Sequence, residues 1–143
     1  MTTRNDILNQ LKTDLEDKLH PTYNDVYLTD VAEVKRGVYF LSECPNRPTV
    51  WFHATEDVTD DFTSGNDRSC YLNVYLYGYI DTDGLGDVDP VQDLVRDVEY
   101  FLLNDFTYAD NVFIDAIGIS DRGAEENTSL FDMDLRIHYM NEL

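Results

Sequence analysis

The stretch from Cys70 to Ile80 constrains this chain more than any other. Cys70, Leu72, Val74, Leu76 and Ile80 share one parity, and Tyr71, Asn73, Tyr75, Tyr77 and Tyr79 share the other. Successive side chains of a strand point to opposite faces, so this segment reads as a strand with an aliphatic side and an aromatic side. Leu130–Tyr139 repeats the pattern, with Phe131, Met133, Leu135, Ile137 and Tyr139 set against Asp132, Asp134, Arg136 and His138. Strands of this kind build a sheet with one face on a core and the other open.

Helices supply the cover. Ile7, Leu8, Leu11, Leu15 and Leu19 recur at helical spacing, Thr3 or Asn5 can cap the start, acids Asp6, Asp14, Glu16 and Asp17 decorate the outside, and His20-Pro21 ends the run. A second helix starts at Asp89-Pro90. Its buried stripe is Val91, Leu94, Val95, Val98, Phe101 and Leu102, with Gln92, Asp93, Arg96 and Asp97 facing water. Three further strands are expected. Val31–Arg36 alternates, is interrupted by Gly37, and continues through Val38-Tyr39-Phe40-Leu41; Pro45 and Pro48 then bracket a turn. Thr49–Thr55 places Val50, Phe52 and Ala54 on one face and Trp51 and His53 on the other. Val112–Ser120 is apolar on both faces, which predicts a strand that is central or covered by a neighbour. Glu56–Ser69, polar and rich in aspartate, reads as a long hairpin loop.

The order is α-β-β-β-α-β-β, with no βαβ alternation. It predicts an α+β fold, a small antiparallel or mixed sheet of about five strands with two helices packed on one face. At 143 residues, without repeat or linker, residues 1–143 read as a single domain.

Composition narrows the function. There are 10 Lys and Arg against 29 Asp and Glu, a formal net charge of −19. That balance argues strongly against non-specific attraction to nucleic acid, because phosphate affinity comes from cations displacing counterions. With 10 Tyr, 7 Phe and 1 Trp the chain has the means to build a core, unlike a disordered acidic tail. No apolar run approaches the ~20 residues of a membrane-spanning helix, and the first residues lack the apolar stretch of a signal peptide. Cys44 and Cys70 lack CxxC spacing and read as reduced thiols of a cytosolic protein.

Chemical motifs are weak. Asp81, Asp83 and Gly86 match the first, third and sixth positions of a calcium loop, but Leu85 and Gln92 stand where oxygen ligands are required. His20, His53 and His138 have no zinc-ligand spacing. Asp132, Asp134 and His138 share a strand face and could form a hydrolytic set, yet the open face of a strand is ordinarily charged. No phosphate-binding glycine loop or nucleophile elbow is present. The expectation is no catalysis, no cofactor and no metal. The informative feature is the aromatic face: Trp51, Tyr71, Tyr75, Tyr77 and Tyr79 on a side without helices suggest an interface. Aromatic pairs that merely stabilise an open sheet are the alternative.

The whole pattern resembles the tail terminator (tail completion) proteins of tailed bacteriophages and related minor tail or neck proteins. The resemblance rests on the first helix and strand, Arg47-Pro48-Thr49-Val50-Trp51-Phe52 and the hydrophilic hairpin near Glu56. It continues through Leu72–Tyr79, Asp93–Val98 and Phe131–Tyr139. It implies a virion structural protein at the tail–neck region, assembled in the host cytoplasm. Such a protein forms a homo-oligomeric ring, a hexamer in that family, that caps the tail tube, stops its growth and meets the head-side connector or stopper. A sheath is a further partner if the tail is contractile, and another neck or head-to-tail connector protein fits the same pattern. DNA would pass through without being specifically bound. Asp57, Asp60, Asp61 and Asp67, or Asp81, Asp83 and Asp87, are candidates for an acidic channel lining; excess acid that keeps subunits soluble is the plainer role. An alternative of another class is an acidic DNA-mimic inhibitor of a host nucleic-acid enzyme, although the acids are spread over both helices, the loops and the last strand.

Overall fold

The computed structural model describes residues 3–62, 67–82, 89–121 and 127–142. Helix α1 (Arg4–Lys18) is followed by β1 (Glu33–Arg36), a 3-10 turn at Leu41–Glu43, β2 (Thr49–Phe62) and β3 (Asp67–Asp81). Helix α2 (Asp89–Tyr100) runs into a π turn at Phe101–Asp105, and β4 (Asn111–Asp121) and β5 (Thr128–Glu142) complete the order. The 5 strands form one sheet in the order β1-β2-β3-β5-β4. It is mixed: β1 runs parallel to β2, and every other neighbouring pair is antiparallel.

Alternation sorts the strands as the sequence predicts. Phe52, Leu76 and Met133 lie in register across three strands, and Ala54, Val74 and Leu135 form the next row. These rows join Ile7, Leu11 and Leu15 of α1 and Val91, Leu94 and Val98 of α2 in one buried cluster, so both helices cover the same face. Gly78 has a packing reason. A Cβ there would sit 2.1 Å from Cε1 of Phe131, its cross-strand partner, so the ring lies where any larger residue would stand.

Thr3 is the cap of α1. Its hydroxyl accepts from the Asp6 amide at 3.3 Å, and the Asp6 carboxylate accepts from the Thr3 amide at 2.9 Å. Those bonds hold the Asp6 carboxyl below the usual carboxylate range.

Several expectations are corrected. The ribbon through Val38-Tyr39-Phe40-Leu41 does not form: Gly37 adopts φ 127°, which favours glycine, and turns the chain off the sheet edge. Residues 37–48 instead form a strap that links the two parallel strands. Glu56–Ser69 is mostly strand, since β2 runs to Phe62 and β3 begins at Asp67. Bulges between Ala54 and Glu56 and between Thr59 and Asp61 carry β2 along β3 despite its polar composition. Val112–Ser120 is not central: β4 is an outer strand. Asp97 does not face water. It is 1% exposed, and its carboxylate accepts from the amides of Leu28 (3.1 and 2.9 Å) and Thr29 (2.7 Å), tying the segment after α1 onto α2. Buried amides require acceptors, and this side chain supplies them.

A candidate assembly surface

The aromatic residues gather on the face away from the helices, but not all of them are open. Trp51 stacks on its cross-strand partner Tyr77 with centroids 4.1 Å apart and planes at 11°. The strap then folds over this pair. Tyr39 meets Trp51 edge-on at 6.4 Å, the Tyr79 hydroxyl donates to the Tyr39 carbonyl at 2.9 Å, and the Lys35 ammonium lies 4.7 Å from the Tyr39 ring centre. Cys44, Trp51 and Tyr79 form a second, small buried cluster. Two of the five expected interface aromatics, Trp51 and Tyr79, are thus sealed by the protein's own chain, at 5% and 9% exposure. The strap was hard to read because its apolar residues follow no period; Gly37 is the signal for its turn. Trp51 Nε1 is a buried donor without a hydrogen-bond partner.

Tyr71, Tyr75 and Tyr77 remain partly exposed. Tyr77 stands opposite Asp132, and Tyr75 stands opposite Asp134. Burial first, then these two carboxylates, push the Tyr77 phenol above its ordinary pKa. Further along, the Arg136 guanidinium lies 5.4 Å from the Tyr71 ring centre and 4.9 Å from that of Phe113. It donates to both oxygens of Asp115 at 2.8 and 3.1 Å, across the bulge between Ile114 and Ala116.

Asp132, Asp134 and His138, weighed in the sequence as a hydrolytic set and set aside, are spread along β5. Asp134 faces Tyr75 and His138 faces Tyr71, so each carboxylate is displaced along the strand from the imidazole. His138 has other neighbours: its Nε2 is 2.5 Å from Ser69 Oγ, and its Nδ1 is 3.8 Å from Asp110 Oδ2. The sequence of atoms is that of a nucleophile, base and acid relay. The geometry stops short of one. A separation of 3.8 Å is beyond a hydrogen bond, and Ser69 is only 7% exposed. Ser69 also pairs with Met140 in the β3–β5 ladder, where backbone amides bond across strands and do not converge on an oxyanion.

Among the described residues, no group of three or more His, Cys, Asp or Glu is placed to hold a metal ion. Asp83, Gly86 and Asp87 of the aspartate-rich turn lie outside the described residues; Asp81 bonds Arg47 Nε at 2.7 Å. Cys44 and Cys70 are buried and unpaired. Asp57 and Asp61 pair with β3 and Asp67 pairs with β5, while Asp60 sits at a bulge of β2; the acidic lining proposed for their side chains falls outside what is described.

The sheet edges differ sharply. One edge carries β1, 4 residues long and charged, which is how edges are commonly blunted. The other carries β4, 11 residues long, with Phe113, Ile117 and Ile119 exposed at 39%, 40% and 44%. No described helix is long and apolar enough to cross a membrane. Comparison with models of known protein families gives no match, and comparison with curated proteins finds no significant relative.

Proposed function

We propose that the protein is a virion structural protein, a tail terminator whose copies close into a ring on the end of the tail tube, stop its growth and join it to the head connector. The observation that carries this reading is β4. An outer strand of 11 residues with apolar side chains on both faces offers a row of backbone donors and acceptors to another chain; of its two charges, Asp115 is paired with Arg136 and Asp121 stands at its end. A closed ring requires two different patches on each subunit, and the unlike edges of this sheet satisfy that requirement. The partly exposed Tyr71, Tyr75 and Tyr77 add a surface for the tube or the connector. The net charge of −19 fits a ring through which DNA passes without adhering.

Native mass spectrometry of the protein, alone and mixed with tail-tube subunits, tests the reading. A six-fold species, or six copies recruited to tube ends, is the expected result. A monomer or dimer that ignores tubes and binds a basic host enzyme would overturn it in favour of the inhibitor.

A further inference from the structure

Lys12, Lys18, Lys35, Arg47, Arg96 and Arg136 each lie within ion-pair distance of a carboxylate. Among the described residues, Arg4 and Arg36 do not. Arg4 donates to the Ala54 carbonyl at 3.1 Å, and Arg36 donates to the Asn9 side-chain oxygen at 2.6 Å. A guanidinium has five N–H donors, so both keep unused capacity. With 29 acids against 10 cations, unpaired arginines are unexpected, yet these two line the same cleft.

The cleft has a volume of about 720 Å³ and lies where β1 stops. Pairing of β1 with β2 ends at Arg36 and Phe52, and Gly37 turns the chain away. Beyond that point Ala54 meets Arg4 instead of another strand, and Leu8, Phe52 and His53 complete the walls.

We propose that this cleft receives a carboxylate from a neighbouring copy of the chain, presented at the β4 edge, with Arg4 and Arg36 as its anchors. The inference rests on the ring reading and gives it a specific contact. Charge complementarity selects the occupant. The β4 edge carries two carboxylates: Asp115, which Arg136 already neutralises, and Asp121 at the end remote from Asp110, so a copy approaching by the Asp110 end meets little repulsion. Just before β4 stands Asp110, its side chain 53% exposed and its only ion-pair neighbour among the described residues the His138 ring at 3.8 Å. The arginine cleft and this edge lie at opposite ends of the strand order, as a head-to-tail contact requires.

The test measures assembly by native mass and sedimentation for the full chain and for the double variant Arg4→Glu/Arg36→Glu. Reversal should raise the concentration of half-assembly by about 30-fold or more, since truncating one side of a buried charge pair commonly costs that much affinity. The reversed chain still offers a normal β4 edge. Mixed with the unaltered protein it should therefore end growing arcs, giving open dimers and short oligomers. A chain carrying Asp110→Arg should restore pairing with the double variant. Where the double reversal lowers the melting temperature, Arg4→Gln/Arg36→Gln carries the same measurement with an amide donor retained at each position. Unchanged assembly of a folded double variant overturns the cleft contact and leaves the ring standing. An unaltered protein that stays monomeric both alone and at tube ends overturns the two together.

Discussion

Alternate residues of the same strands build two unlike faces. Towards the helices, Phe52, Leu72, Leu76, Met133 and Ile137 are fully buried in one continuous cluster. Away from them, Tyr71, Tyr75 and Tyr77 stay partly exposed, while Trp51 and Tyr79 are sealed beneath the strap, whose Cys44 joins their cluster. The first face is held by the area it removes from water. The second is held by stacking, a cation over aromatic rings and cross-strand ion pairs, each contributing about 0.2–1 kcal/mol. One face fixes the fold, and the other is free to be shaped by contacts.

Substitutions in matched positions should expose that difference. Leu76→Ala removes a fully buried side chain and is expected to lower unfolding free energy by about 2–5 kcal/mol in urea titration, whereas Tyr75→Ala, on the adjacent residue, should cost under about 1 kcal/mol. Equal losses would mean that the open face is a second full core. Gly78→Ala should cost about 1–3 kcal/mol by pushing the Phe131 ring out of its place, and a melting temperature unchanged from the parent would sink that account.

Asp97 tests how far the helix face depends on one polar group. Asp97→Ala leaves the Leu28 and Thr29 amides without their acceptor and should cost about 2 kcal/mol near neutral pH. Burial holds the Asp97 carboxyl above its ordinary pKa, against the pull of those amides. A raised folded-state pKa means that the linked stability is complete below the unfolded value, near ~4, and is lost as pH rises through the folded value. The stability of the parent relative to Asp97→Asn should therefore decline from pH 4 upward; a flat or rising difference would contradict the raised value. The smallest effect is expected at Trp51→Phe. Loss of packing under the strap is offset by removal of a buried donor without a partner, so the change should stay within about 1 kcal/mol, as read by chemical denaturation.

What could be read from the sequence follows the range of the interactions. The alternations of Cys70–Ile80 and Leu130–Tyr139 are local, and the structure keeps them residue for residue. The strap, the outer position of β4 and the burial of Asp97 are tertiary outcomes. Nothing adjacent to Asp97 reveals that amides some seventy positions earlier will need it. The arginine cleft is likewise invisible in the sequence, because Arg4, Arg36 and Ala54 meet only when β1 ends early. The aromatic surface was legible as a set, but its division into covered and open parts depends on where Gly37 sends the chain.

The position of β5 has a consequence for how the molecule comes into being. Among the described strands it comes latest in the chain, yet it lies inside the sheet, between β3 and β4. Until β5 docks, β3 lacks its longest partner, β4 has no neighbour, and the apolar rows beneath both helices remain incomplete. Sheet closure therefore waits for β5: the β2–β3 and β4–β5 hairpins are local, but the β3–β5 ladder that unites them joins segments far apart along the chain, the kind of pairing that slows folding.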